Sequence, residues 1–81
     1  PNNPLSGLPA KQKHTFVTCY DFCDTLVFLG YEDGLICCWD ISTKKFRFPM
    51  IGHTNRINGL DQAGGFIYSC ANDCTIRQWE T

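Results

Sequence analysis

The sequence predicts an all-β chain made of two copies of one antiparallel unit, and three observations carry that prediction. The chain repeats itself without a gap at a spacing of 40: Trp39 falls on Trp79, Asp21 on Asp61, Asp33 on Asp73 and Ile36 on Ile76. Similar residues coincide at the same offset, Val17 with Ile57, Leu26-Val27-Phe28 with Phe66-Ile67-Tyr68, and Asp40 with Glu80. Each copy is a series of short runs rich in β-branched and aromatic residues, separated by turn-forming pieces. A period of this length is the mark of stacked supersecondary units.

Taken in order, residues 1–13 read as a linker. Pro1-Asn2-Asn3-Pro4, Ser6-Gly7 and Leu8-Pro9 punctuate the chain, and Lys11-Gln12-Lys13 is polar. At the repeat offset Leu8-Pro9-Ala10 falls on Phe48-Pro49-Met50, so residues 5–10 are alternatively the worn outer strand of a preceding unit. The first copy occupies 14–51. Phe16 to Tyr20 is its first strand, Asp21 to Thr25 a turn, Thr25 to Leu29 a second strand, Glu32-Asp33-Gly34 a tight hairpin, and Leu35 to Trp39 a third strand. Asp40 to Lys45 leads to an outer strand, Phe46 to Met50, where Pro49 is tolerable because an edge strand can spare a donor. The second copy occupies 52–81. Asn72-Asp73-Cys74 replaces the hairpin, Gly64-Gly65 is expected to shorten the earlier turn, and the copy stops before an outer strand.

Composition bounds the function. Apolar content of 43% and charged content of 19% describe a globular chain. A net charge of −1 offers no electrostatic footprint for nucleic acid or an anionic membrane. Apolar stretches fall far short of the roughly 20 residues of a membrane span, and no secretory leader pattern is present. Six cysteines are dense enough to suggest disulfides in a secreted chain. They fall in or beside strands, however, and adjacent Cys37 and Cys38 should point to opposite faces of one strand, so free core thiols in a reducing, cytoplasmic setting are expected. Disulfides remain one alternative. A zinc or redox module using Cys19-x-x-x-Cys23 and Cys70-x-x-x-Cys74 is another, although structural zinc favours closer pairs on turns.

Gly52-His53, Ser69, the Asn72-Asp73 turn and Trp79-Glu80 together resemble one blade of the Trp-Asp (WD) repeat β-propeller family, whose repeat runs roughly 40–45 residues from Gly-His to Trp-Asp. The resemblance implies two four-stranded antiparallel blades, the second lacking its outer strand. It also implies one hydrogen-bonded chain through His53, Ser69, Asp73 and Trp79: a buried indole N–H needs an acceptor, and a hydroxyl can take that proton while donating onward to imidazole, whose other nitrogen meets a carboxylate. A Ser/His/Asp hydrolytic triad is the rival reading, disfavoured because Ser69 lies inside an apolar run without the Gly-flanked turn that exposes a nucleophile.

The copies depart from the family differently. The first has Gln12-Lys13 in place of Gly-His and Leu29 in place of Ser, so Trp39 lacks the polar chain and its blade is expected to rest on apolar packing. The second puts Cys74 where the family usually has Gly at a turn position requiring φ > 0.

Propellers typically use about 4–8 blades, so two blades leave wide apolar faces that demand partners. These are the remaining blades of the propeller, in one longer chain or in other copies closing a ring. The resemblance further implies a rim that docks other proteins or peptides, with Phe16 and Thr18 in one copy and Arg56 and Asn58 in the other as the contact candidates. An aromatic beside an Arg fits hot-spot composition, while packing against a neighbouring blade for Phe16 and plain solvation for Arg56 are the competing readings. The expected function is a non-catalytic interaction scaffold within a larger intracellular protein or assembly. A substrate-recognition segment attached to an enzyme such as a ubiquitin ligase or kinase is the alternative. No metal, cofactor, phosphate loop or nucleophile motif is implied.

Overall fold

The computed structural model describes residues 15–80, which form seven strands and no helix. Strands β1 (Val17–Cys23), β2 (Leu26–Tyr31), β3 (Ile36–Asp40) and β4 (Lys45–Met50) make one antiparallel sheet in the order β1-β2-β3-β4. Strands β5 (Ile57–Ala63), β6 (Phe66–Ala71) and β7 (Ile76–Glu80) make a second in the order β5-β6-β7. The readings placed on residues 1–13 lie outside the described residues.

The sequence repeat is a structural repeat down to its irregularities. Val17 pairs with Tyr31 and Cys19 with Gly30, leaving Thr18 as a bulge; Ile57 pairs with Ala71 and Gly59 with Cys70, leaving Asn58 as the same bulge one copy later. Bulges re-aim a side chain and increase local twist, so both inner strands turn their third-residue-onward ends in the same way. The turn expected over Asp21 to Thr25 is shorter than that. Asp21, Phe22 and Cys23 pair with Phe28, Val27 and Leu26, and only Asp24 and Thr25 turn the chain, with Asp24 at φ 55. Asp21 was misleading because a charged residue on a half-buried strand position looks like a turn residue. Gly64-Gly65 does not shorten its turn either: Ala63 pairs with Phe66 as Cys23 pairs with Leu26, so both hairpins have two-residue loops. Gly64 at φ 57 and Gly65 at φ 85 adopt the left-handed pair that such loops favour. Cys74, at φ 68, holds the conformation that Gly34 holds at φ 100 in the first copy.

The strands alternate sides, which places the core. Phe28, Ile36, Cys38 and Met50 of the first sheet face Ile57, Ile67 and Ala71 of the second, with Leu60 and Trp79 packed against them. The opposite face of the first sheet carries Tyr31, Leu35 and Cys37, with Leu29, Trp39 and Phe46 around them. Cys37 and Cys38 thus belong to different cores, as strand alternation requires. In repeat register Ile67 and Trp79 correspond to Val27 and Trp39, not to Phe28 or Cys38. The sheets therefore stack head to tail, the leading face of one on the trailing face of the next, an arrangement that can only continue or close into a ring. Each unit is one blade, and the far face of the second one, which carries Tyr68, Cys70 and Ile76, is exposed.

Ile57 is the joint of this stack, wholly buried between Gly30, Cys19 and the second sheet. Ile57→Ala should destabilise by about 2–5 kcal/mol in urea unfolding. Ile76→Ala, at a residue 79% exposed, should stay within about 0.5 kcal/mol.

Candidate functional site

Among the described residues two polar side chains are buried, His53 and Ser69, and the chain brings both together with Asp73 and Trp79. Trp79 reaches Ser69 from the paired strand β7, its Nε1–H donating to Ser69 Oγ at 2.7 Å. The connection from β4 to β5 brings in His53, whose Nε2 lies 2.7 Å from the same hydroxyl. Its Nδ1 lies 2.9 Å from Asp73 Oδ2, on the turn between β6 and β7. One assignment satisfies every member: Trp79 donates to Ser69, Ser69 donates to His53 Nε2, and the Nδ1–H of a neutral imidazole donates to Asp73.

Asp73 ends the relay and anchors two loops. Its Oδ1 accepts from the Thr75 amide at 3.0 Å and the Thr75 hydroxyl at 2.5 Å, and its Oδ2 accepts from the Thr54 amide at 2.9 Å. The Thr75 hydroxyl above all, with the Thr54 amide, His53 and the Thr75 amide, holds its carboxyl well below the usual carboxylate range against the opposing effect of burial. Gly52 has a packing reason. A Cβ there would lie 3.1 Å from both Arg77 Cζ and Trp79 Cη2, so a bare backbone lets the indole close over the loop.

The order Ser69, His53, Asp73 is that of a hydrolase triad, but its surroundings are not. Ser69 is 1% exposed, and its hydroxyl is held between Trp79 Nε1 and His53 Nε2. No reacting carbonyl can approach a hydroxyl shut in this way.

The first copy lacks the relay. Asp33 repeats the turn contact, its Oδ1 accepting from the Leu35 amide at 3.3 Å. Leu29 stands where Ser69 would be, and Trp39 Nε1 is buried without a hydrogen-bond partner among the described residues. Trp39 is held instead edge-on against Phe46, ring centroids 5.2 Å apart.

The four rim candidates are not equivalent. Phe16 is 75% exposed, and Arg56 and Asn58 are exposed. Phe16 and Arg56 occupy matching places just before β1 and β5, where their carbonyls accept from the Glu32 and Asn72 amides, each at 2.9 Å. Thr18 and Asn58 are the two bulge residues. Asn58 Nδ2 donates to Asn72 Oδ1 at 2.6 Å. The half-buried Thr18 turns its hydroxyl onto the Ile57 carbonyl at 2.5 Å, with the Gly30 carbonyl at 3.2 Å, and so ties the two sheets. That last contact was not legible in the sequence, since nothing local marks Thr18 as facing a strand 39 residues away.

All six cysteines are free thiols, and among the described residues no group of three or more His, Cys, Asp or Glu side chains converges on one point. Burial pushes the Cys37 thiol up to about 12 and the Cys38 thiol up to about 11. Both are therefore protonated near neutrality and behave as small apolar groups.

Three outcomes test the relay. Ser69→Ala should destabilise by about 1–3 kcal/mol in chemical denaturation, because it strands both the indole N–H and the imidazole nitrogen. Trp79→Phe should lower the melting temperature more than Trp39→Phe, since only Trp79 has a partner to lose. The Asp73 contribution is fully present above the unfolded carboxyl value of about 3.9 and is lost as pH falls from there toward its lower folded value. The melting temperature of the native protein should thus fall more steeply below about pH 4 than that of Asp73→Ala, and parallel curves would sink the assignment.

Comparison with known proteins agrees with this geometry. The family described as WD domain, G-beta repeat matches residues 44–80. Cell division control protein 4 of Saccharomyces cerevisiae is 35% identical over 65 residues, covering 79% of this chain and 8% of that protein. Actin-interacting protein 1 of Drosophila melanogaster is 30% identical over 80 residues, 98% of this chain and 13% of that one. Nuclear distribution protein nudF of Aspergillus niger is 30% identical over 90 residues, 96% and 20%. The chain thus spans 8 to 20% of the length of these relatives. Among solved structures, the computationally designed Ika4 protein superposes with a TM-score of 0.75 at 30% identity, over 79% of this chain and 40% of that one. The designed Ika8 protein gives 0.74 at 29% identity, over 80% and 20%. The chain belongs to the WD-repeat family, and its two sheets are consecutive blades of a β-propeller.

Proposed function

We propose that this chain is part of a non-catalytic docking propeller within a larger protein, and that the rim carrying Phe16, Arg56 and Asn58 is its contact surface. The observation that carries the reading is the equivalent placement of Phe16 and Arg56. Both stand exposed at the same point of successive blades, each fixed by a backbone hydrogen bond to the neighbouring turn. A large exposed aromatic and a guanidinium at equivalent points of a rigid support have the composition of an interface hot spot. Thr18 supports that rim from beneath by holding β1 to β5.

Two further facts favour binding over chemistry. WD-repeat propellers generally bind other proteins, and one relative is named for its interaction with actin. The one Ser/His/Asp constellation in the described residues is closed to substrate. The placement inside a larger protein rests on the small share of each relative that the chain covers.

The test uses the whole protein that contains this chain. Affinity capture with quantitative mass spectrometry would compare it with a Phe16→Ala, Arg56→Ala double variant. At least one partner should be depleted about tenfold or more, as hot-spot truncations of roughly 2 kcal/mol require, while the melting temperature stays put. Equal recovery of every partner would remove this rim from the binding surface.

A further inference from the structure

The repeat builds two corners of the rim alike in backbone and opposite in charge. In the first blade the Phe16 carbonyl accepts from the Glu32 amide, and in the second the Arg56 carbonyl accepts from the Asn72 amide. One corner therefore carries an aromatic ring and a carboxylate, the other a guanidinium and a neutral amide, and all four side chains are exposed. Asn58 joins the second corner, its Nδ2 donating to Asn72 Oδ1 at 2.6 Å. That leaves both Nδ2 protons of Asn72 to donate elsewhere. The corners are neighbours: a Cβ on Gly34, in the Glu32 turn, would lie 2.9 Å from the carbonyl oxygen of Asn55, the residue before Arg56. Even so, among the described residues no ion pair reaches Glu32 or Arg56. The half-buried carboxylates of the same turns are engaged locally, Asp33 by the Leu35 amide and Asp73 by Thr54, Thr75 and His53.

We propose that this rim recognises an extended protein segment bearing one basic and one acidic side chain about three residues apart, the basic one held by Phe16 and Glu32 and the acidic one by Arg56, Asn58 and Asn72. The inference rests on the docking reading above and names the chemistry of the partner. A ring face and a carboxylate together hold a cation. A guanidinium fork with amide donors alongside holds a carboxylate in the same way. The separation follows from the blades, because stacked sheets lie about 10 Å apart and an extended chain advances about 3.3 Å per residue. A carboxylate suits the second corner better than a phosphate: among the described residues that corner holds a single positive charge, which leaves a phosphate of about −1.5 to −2 undercompensated. A segment with two like charges meets repulsion at one corner whichever way it runs, so the rim selects as well as binds.

Selection of a displayed library of random peptides on the whole protein that contains this chain tests the proposal. Peptides retained by the native rim and lost on the Phe16→Ala, Arg56→Ala double variant should carry a basic and an acidic residue at a recurring separation of about three. Glu32→Arg should redirect the selection to peptides with two acidic residues, and Arg56→Glu to peptides with two basic ones. A peptide from the native selection should bind either charge variant about tenfold or more weakly in anisotropy titrations, as loss of a charge-assisted hydrogen bond requires. The melting temperature should stay put, since Glu32 and Arg56 are exposed. Rim-dependent peptides without such a pair, or charge variants that select the same peptides as the native rim, would overturn the inference and leave the docking rim standing. If no selected peptide depends on Phe16 and Arg56, the docking rim itself falls and this inference falls with it.

Discussion

A sheet with apolar side chains on both faces cannot stand alone in water, and the architecture here follows from that constraint. Phe28, Ile36 and Cys38 line one face of the first blade, while Tyr31, Leu35 and Cys37 line the other. Burying a face of this kind contributes on the order of 25 cal/mol per Å² removed from water, so each face needs a sheet of its own. Head-to-tail stacking satisfies this by using opposite faces of successive blades. The stack needs close approach at its inner edge, where Gly30 and Gly34 admit Ile57 and the loop carrying His53.

Polar groups sit where packing alone leaves the backbone under-determined. The loop from β4 to β5 and the turn from β6 to β7 have no ladder of their own, and Asp73 joins them through Thr54, His53 and Thr75. The indole of Trp79 supplies the apolar contact and the first proton of the same relay. A buried polar group is tolerable only when satisfied, so the four residues stand or fall together. The first blade shows the alternative: Leu29 removes the acceptor, Trp39 keeps an N–H unpaired among the described residues, and edge-on packing with Phe46 holds the ring. One blade is thus specified by hydrogen bonds and the other by shape, on the same backbone.

The repeat makes the departures informative. Where the copies agree, as in the bulges at Thr18 and Asn58, the backbone demands the agreement. Where they differ by one atom group, as at Gly30 and Cys70, the difference separates a position packed against Ile57 from an exposed one. Exposed positions such as Phe16 and Arg56 diverge freely in chemistry while their backbones remain pinned alike.

By itself the sequence determined the unit and its number. The ungapped offset, the turn chemistry and strand alternation are local properties, which is why the seven strands, the opposite facing of Cys37 and Cys38 and the left-handed Cys74 were all legible. The grouping of His53, Ser69, Asp73 and Trp79 was legible only through likeness to a known repeat, because nothing in their spacing requires them to meet. Tertiary structure alone decided which face of one blade meets which face of the next, that Thr18 serves the seam, and that Asp21 to Cys23 belong to a strand. These depend on contacts between segments far apart in the chain, where a side chain's surroundings are set by what the fold brings to it and not by its neighbours in sequence.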